Sequence, residues 1–168
     1  MFRKLTEDAR LPERATKYSA KFDVFANEDA VIGAGETKLI GLGIALDDDF
    51  VTYEIAGVNV DAGGRVTDGD SVKANEFLKS HYFALHIRSS LRVKGLTSLG
   101  TGIIDMDFVY SNEIKMVVHN PLRWGEVPVN GDPAICTKGV QHNASYVIKK
   151  DDKIGQLILC RHEGWLLP

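Results

Sequence analysis

The 168 residues are enough for one domain with a hydrophobic core of its own and leave little room for a second. With 44% hydrophobic and 26% charged residues and a net charge of -3, the composition is that of a soluble globular protein, and no basic excess indicates a nucleic-acid partner. Residues 1–17 are charged throughout, and no apolar run approaches the ~20 residues of a membrane span. We therefore expect a cytoplasmic protein without a membrane partner.

Short β-rich runs dominate the chain and are separated by Gly, Asp and Asn. Several alternate with the two-residue period of a half-buried strand, and in 38–46 the apolar face would hold Ile40, Leu42, Ile44 and Leu46. This pattern predicts a sandwich, jelly roll or barrel rather than βαβ units. The predicted strands cover 22–26, 38–46, 51–56, 82–88, 114–119, 145–148 and 156–160.

Helix is predicted at 71–81, with Ser71 as its cap, and a shorter helical turn after Ser90 through Lys94. Two stretches, 57–81 and 121–142, are interpreted as surface insertions in a single domain that spans 1–168. The only two cysteines, Cys136 and Cys160, lack metal-ligand spacing, so we expect free thiols.

The most informative segment is 102–108, in which Asp105 lies on a turn after apolar strand residues and Phe108 follows three positions later. This arrangement aims one carboxylate into a pocket. Upstream, Arg88, Ser89 and Ser90 supply a guanidinium and two hydroxyls, and downstream Gln156 supplies a primary amide. These are the groups that bind a phosphate chain, and a carboxylate such as Asp105 can orient and deprotonate a water molecule.

Four segments together resemble the trimeric dUTPase family. Residues 19–24 are similar to the motif Ala-Gly-Tyr-Asp-Leu with Lys21 in place of glycine, and 88–91 to Arg-Ser-Ser-Leu. Residues 102–108 are similar to Gly-x-Ile-Asp-x-x-Tyr with Phe108 in place of tyrosine. Residues 151–157 are similar to Gly-Asp-Arg-Ile-Ala-Gln-Leu, with Asp151 in place of glycine and Lys153 in place of arginine.

The resemblance implies an all-β, jelly-roll-like β-clip dUTPase fold with one short helix, assembled as a homotrimer. It implies Mg²⁺-dependent hydrolysis of dUTP to dUMP and pyrophosphate, with Asp105 as the catalytic base. Phosphate oxygens would be held by Arg88, Ser89, Ser90 and Gln156, and Phe108 would lie against the deoxyribose, leaving no room for a 2′-hydroxyl. Uracil would be read mainly by backbone groups of a hairpin that includes Leu99, Gly102, Ile103 and Ile104, and Asp23 would hold the metal through water.

Each of these residues has a structural alternative. Asp105 could merely close a turn, Phe108 fill the core, and Gln156 sit solvated on a strand edge. The Arg-Ser-Ser segment could be a helix start capped by serine, and Asp23 could fix the first strand's turn.

The chain also departs from the family pattern. Leu99 stands where an asparagine commonly contacts uracil, and no glycine-rich fifth motif occurs before Pro168, so the closing arm lies beyond this end, is supplied otherwise, or turnover is poor. Insertions like 121–142 occur in bacteriophage members, which makes a phage-type enzyme acting in the host cytoplasm an interpretation consistent with the sequence. We interpret 121–142 as surface elaboration, with contact to a protein partner as the alternative.

Two other functions are compatible with the same segments. A dCTP deaminase shares the Arg-Ser-Ser-Leu motif, but the position of its required glutamate, three residues before Asn120, is Val117, which cannot transfer a proton. A nucleotide-binding regulator or inactive homologue would explain Leu99 and the missing arm, but not the presence of Asp105.

Overall fold

The computed structural model describes residues 2–47, 76–108, 112–122, 126–129, 132–138 and 145–164. These ranges contain thirteen strands and two short helical segments, 76–80 and Ser89–Val93. The strands are β1 (Phe2–Lys4), β2 (Glu13–Arg14), β3 (Lys21–Phe25), β4 (Ala30–Ile32), β5 (Thr37–Gly41), β6 (Ile44–Leu46), β7 (His81–Ile87), β8 (Gly102–Asp105), β9 (Lys115–His119), β10 (Glu126–Val129), β11 (Asp132–Lys138), β12 (Tyr146–Ile148) and β13 (Lys153–Arg161).

The largest sheet is antiparallel and five-stranded, in the order β2-β3-β13-β7-β8. Smaller antiparallel pairs join β1 to β6, β4 to β12 and β5 to β9. One continuous core lies between these sheets and takes side chains from each, for example Leu157 from the large sheet, Met116 from β9 and Ile32 from β4. The β-clip jelly-roll expectation is confirmed, and helix is scarce among the described residues.

Register divides the large sheet into a buried and an outward face. Phe83 and Ile104 are paired and buried, so their neighbours along the strands point the other way. On that outward face Asp23, Gln156 and His86 form one row across β3, β13 and β7. A second row, across β13, β7 and β8, contains Cys160, Tyr82 and Asp105. The sheet thus places the candidate carboxylates and amide on one side of the domain.

The predicted run 38–46 is wrong as a single strand, because it divides into β5 and β6 around Gly43. Gly43 has φ +65°, and a Cβ there would lie 2.6 Å from Asn27 Cγ. The predicted apolar face is nevertheless buried, since Ile40, Leu42, Ile44 and Leu46 are all at most 3% exposed. Ala45 is buried as well, because β6 is covered on both faces.

The two predicted helical segments are present where they can be compared. Residues 76–80 are helical, and His81 already belongs to β7, whereas 71–75 lie outside the described residues. The predicted turn after Ser90 is the helix Ser89–Val93, which is followed by Lys94. The predicted strand 51–56 also lies outside the described residues. Within 121–142, β10 and β11 form an antiparallel pair with a register shift between Pro128 and Val129.

Candidate functional site

Asp23 is the centre of a buried polar cluster on the outward face. Its side chain is 2% exposed, and its two carboxylate oxygens accept hydrogen bonds from Gln156 Nε2 at 2.9 Å and from Lys153 Nζ at 3.1 Å. Arg88 Nε lies 3.9 Å from Oδ1. The cluster therefore joins residues from the first, second and fourth family-like segments around one carboxylate.

The groups around Asp23 hold its pKa below the usual value. Burial raises the pKa of Asp23, but the hydrogen bonds from Gln156 and Lys153 and the positive charge of Arg88 together outweigh burial, and the pKa lies below its usual value. Of these partners, sequence reasoning named Gln156 and Arg88 only as phosphate ligands and gave Lys153 no role. The pairing of β13 with both β3 and β7 brings these partners to Asp23, and no local sequence pattern encodes that pairing.

Arg88, Ser89 and Ser90 lie where β7 gives way to the short helix. Arg88 is the N-cap residue, with extended backbone, and no side chain caps this helix, so the serine-cap alternative is not realised. Ser89 and Ser90 are both exposed, and neither hydroxyl is hydrogen-bonded within the described part of the chain. Both hydroxyls are therefore available to a ligand beside the Asp23 cluster.

Asp105 ends β8 at the opposite edge of the same face. It is exposed, stands directly across from Tyr82, and its carbonyl accepts the Phe108 N–H at 3.0 Å in the turn that follows. Phe108 is 39% exposed and so does not fill the core. The exposed side chains of Leu99 and Ile103 lie in the same part of the chain and give this edge an apolar surface.

A slot of about 130 Å³ opens beside β8. It is lined by Leu85 and by residues 98–102 and 115–117. The isolated bridge between Thr97 and His119 ties its two sides together at one end. Ile103 and Ile104, which the sequence interpretation assigned to the base, follow the slot along β8, and Ile104 is 7% exposed and points into the core.

Glycine shapes this slot at two positions. Gly100 has φ +136°, a conformation that side-chain-bearing residues rarely adopt, and Ser98 Oγ donates to its carbonyl at 2.7 Å. A Cβ on Gly102 would lie 3.3 Å from Leu85 Cβ. Sequence reasoning selected Gly102 and missed Gly100, although a Leu-Gly-Thr-Gly run is a usable turn signal.

Asp105 and the Asp23 cluster are separated within one chain. Asp105 is opposite Tyr82, Gln156 is opposite His86, and these partners are four residues apart on β7. Strand rise and spacing then place the Cα atoms of Asp105 and Gln156 roughly 15 Å apart. The chain thus presents two candidate half-sites: a polar cluster at Asp23, and an exposed carboxylate at Asp105 on the strand that begins at the slot.

The Asp23 cluster offers a metal ion few direct ligands. Both oxygens of Asp23 are engaged by Gln156 and Lys153, and the described residues contain no group of three His, Cys, Asp or Glu side chains that could hold an ion. Any Mg²⁺ at this face would be held mainly by ligand oxygens and water, which suits the hydration that Mg²⁺ retains.

Comparison with known proteins gives two curated relatives, both named deoxyuridine 5′-triphosphate nucleotidohydrolase. The protein from Nautilia profundicola is 29% identical over 159 residues, which cover 94% of this chain and 76% of that protein. The chain is similar to this dUTPase over almost its whole length. The protein from Debaryomyces hansenii is 29% identical over 154 residues, which cover 92% of this chain and 64% of that dUTPase. No family model matches the chain.

Solved dUTPases share the fold. The dUTPase of phage phi11 of S. aureus superposes with a TM-score of 0.62 and 22% identity, over 96% of this chain and 89% of that chain. A mutant dUTPase of Staphylococcus bacteriophage 80alpha with dUpNHpp superposes with a TM-score of 0.61 and 20% identity, over 96% and 82%. A mutant of the phi11 enzyme coordinates a structural Mg(II) ion. Among the described residues of this chain, no helix is long and apolar enough to cross a membrane.

Proposed function

We propose that this chain hydrolyses dUTP to dUMP and pyrophosphate, as its relatives' name describes. The observation that carries this proposal is the slot at the start of β8, the strand that ends at the exposed Asp105. β8 pairs only with β7, and β9 only with β5, among the described strands, so backbone groups on the facing edges near the slot are left for a ligand. Backbone N–H and C=O groups in fixed order match the donor and acceptors of a uracil ring.

The reaction needs one activated water. Asp105 would orient this water and accept its proton while the water attacks the α-phosphate, and a general base of this kind contributes about 10²–10⁴ in rate. Its exposure leaves it accessible to water and substrate. Phe108 follows in the same turn, and its half-exposed ring would lie against the deoxyribose, where a 2′-hydroxyl would find neither room nor a hydrogen-bond partner.

The phosphate chain would be held at the Asp23 cluster. We assign phosphate oxygens to Arg88, to the hydroxyls of Ser89 and Ser90, and to Gln156. An amide carries two N–H donors and Asp23 accepts from one, so the second is available to phosphate. Asp23 would act chiefly by holding Gln156 and Lys153 in place.

Assembly follows from the separation of the half-sites. Since Asp105 and Gln156 lie roughly 15 Å apart in one chain, we propose that a complete site combines Asp105 from one subunit with the Asp23 cluster of another. A homotrimer, the assembly that the family resemblance implies, would provide three such sites.

We propose that Mg²⁺ binds as a complex with the triphosphate. It would neutralise charge on the phosphate oxygens, and Asp23 would contact it only through water because its own oxygens are engaged. This chain's own residues would position the phosphates and the attacking water.

We further propose a single domain spanning 1–168, with surface insertions at 57–81 and 121–142. The β10–β11 pair is proposed as an elaboration of the surface, with a protein partner as its alternative role. The cytoplasm, or the host cytoplasm for a phage-encoded chain, is the proposed place of action because that is where deoxynucleoside triphosphates are made and used.

Pyrophosphate release with Mg²⁺ tests the proposal. Release from dUTP is expected at a much higher kcat/KM than release from dCTP, dTTP or UTP. Saturable dUTP binding without release would contradict hydrolysis and favour the nucleotide-binding regulator. Ammonia release from dCTP would indicate the deaminase, against which Val117 at the slot supplies only an aliphatic side chain.

A further inference from the structure

Lys115 is the charged residue of the slot. Leu85 and residues 98–102, 116 and 117 line the remainder, and none of them carries a charge. Leu99, which stands where a polar side chain would be expected to read the base, is 66% exposed and has no hydrogen-bonding group. Side-chain selection of a base at this slot therefore depends on a residue other than Leu99.

The ammonium group of Lys115 faces Glu113 without a direct hydrogen bond. Glu113 Oε1 accepts the Gly43 N–H at 3.0 Å, which leaves Oε2 facing Lys115 Nζ at 3.6 Å, too long for a direct hydrogen bond. The Lys115 side chain is 49% exposed. Lys115 and Glu113 also line a second pocket with Leu39 and Gly41, so the ammonium group would have to turn away from Glu113 to reach a ligand in the slot.

We propose that Lys115 selects pyrimidines with a carbonyl at C4 over those with an amino group. This inference rests on the proposed dUTP hydrolysis. An ammonium group donates three hydrogen bonds and accepts none, so it can bind a C4 carbonyl oxygen but cannot pair with a C4 amino group. A site that loses such a bond with the wrong substrate rejects it. Lys115 thus supplies the discrimination that Leu99 cannot.

Lys38 provides a matched control. It lies on β5, the strand paired with β9, and its Nζ is 3.4 Å from Glu36, two residues away, just as Lys115 faces Glu113. Its side chain is 39% exposed, yet it does not line the slot. A change at Lys38 reports the general effect of removing a lysine from this pair of strands.

The test compares kcat/KM for dUTP and dCTP in the wild type, Lys115→Met, Lys115→Gln and Lys38→Met. Loss of one hydrogen bond to a charged donor should lower the dUTP-to-dCTP ratio about tenfold in Lys115→Met. Lys115→Gln should lower it mainly by improving dCTP, since an amide can also accept from an amino group. Lys38→Met should keep the wild-type ratio. Calorimetric binding of dUMP and dCMP gives the same comparison without the chemical step.

Two results would overturn the assignment. One is an unchanged ratio in both Lys115 variants, including the case in which both substrates weaken equally; the other is an equal loss of selectivity in Lys38→Met. If the wild type released no pyrophosphate from dUTP, that result would instead contradict the proposed hydrolysis. Binding of dUMP over dCMP would then still show whether Lys115 reads the base.

Discussion

The two candidate half-sites of this chain are built in opposite ways. At Asp23 the carboxylate is buried, both of its oxygens are hydrogen-bonded, and three cationic or amide groups from distant segments converge on it. At Asp105 the carboxylate is exposed, and the slot at the other end of β8 borders strand edges that pair with no other described strand. The carboxylate of the first region has its hydrogen-bond partners within the chain, whereas the carboxylate of the second faces solvent.

From this difference we expect different roles for Asp23 and Asp105. A carboxylate held by fixed donors contributes to folding and to the placement of its partners, because its protonation and orientation are determined by the protein. A carboxylate in contact with solvent can bind a water molecule and take its proton. Substitutions should therefore act on stability at Asp23 and on turnover at Asp105.

The largest effect is expected for Asp105→Asn. An asparagine cannot take the proton of the attacking water, so kcat for pyrophosphate release should fall by about 10³ or more while dUMP binding and the melting temperature stay near wild type. Asp107→Asn is the control, because Asp107 is an exposed carboxylate in the same turn. Equal losses in the two variants would argue against a specific role for Asp105.

A smaller effect, on folding rather than on turnover alone, is expected for Asp23→Ala. Removing the buried partner of two charge-assisted hydrogen bonds should lower the free energy of unfolding by about 2 kcal/mol in urea titrations, discounted because Lys153 remains partly in contact with water. Asp29 pairs with Lys149 at 2.7 Å on the surface, and Asp29→Ala should change stability little. If both variants behaved alike, burial would not be what distinguishes the Asp23 cluster.

Acid should weaken the same cluster. The folded pKa of Asp23 is below its unfolded value, so its contribution to stability is complete above the unfolded pKa, about 4, and is lost as the pH falls through the lower folded pKa. Urea titrations between pH 6 and the acid range should show a steeper fall in stability for the wild type than for Asp23→Asn. Parallel curves would mean that Asp23 has the same pKa in both states.

The smallest effect concerns a turn next to the cluster. Asp151 has φ +70°, the one non-glycine residue in this region of backbone space among those described. Glycine adopts it without steric cost, so Asp151→Gly should stabilise the fold by about 0.5 kcal/mol after allowing for the greater freedom of the unfolded chain. Lys21→Gly, at the other position where glycine is usual in the family, should not stabilise, because Lys21 has no positive φ. Melting temperatures of Asp151→Gly and Lys21→Gly, each compared with the wild type, test this expectation.

The sequence was sufficient for the fold class and for the turn that carries Asp105. Alternation predicted which side chains of 38–46 are buried, but not the break at Gly43. That break depends on tertiary contacts, since Gly41 and Gly43 leave room for the side chains of Glu113 and Asn27. Local periodicity contains no information about residues 70 positions away.

The same limit applies to the candidate site. Asp23, Gln156 and Arg88 could be selected individually by residue type and motif, but their mutual contacts depend on the register of β3, β13 and β7. Lys153 was noted only as the substitute for a motif arginine, and Lys115 was not selected because it belongs to no motif. Only the position of Lys153 beside Asp23 and of Lys115 on the slot sets them apart from other lysines on the surface.

Two inactive chains should be able to rescue one another. Asp105 and Gln156 lie roughly 15 Å apart within a chain and on our proposal serve different sites of the assembly. In a mixed oligomer, some sites then combine the intact Asp105 of a Gln156→Ala subunit with the intact Gln156 of an Asp105→Asn subunit. Co-expression of the two variants should then restore part of the wild-type pyrophosphate release, above the rate of either variant alone. A site confined to one chain would show no such complementation.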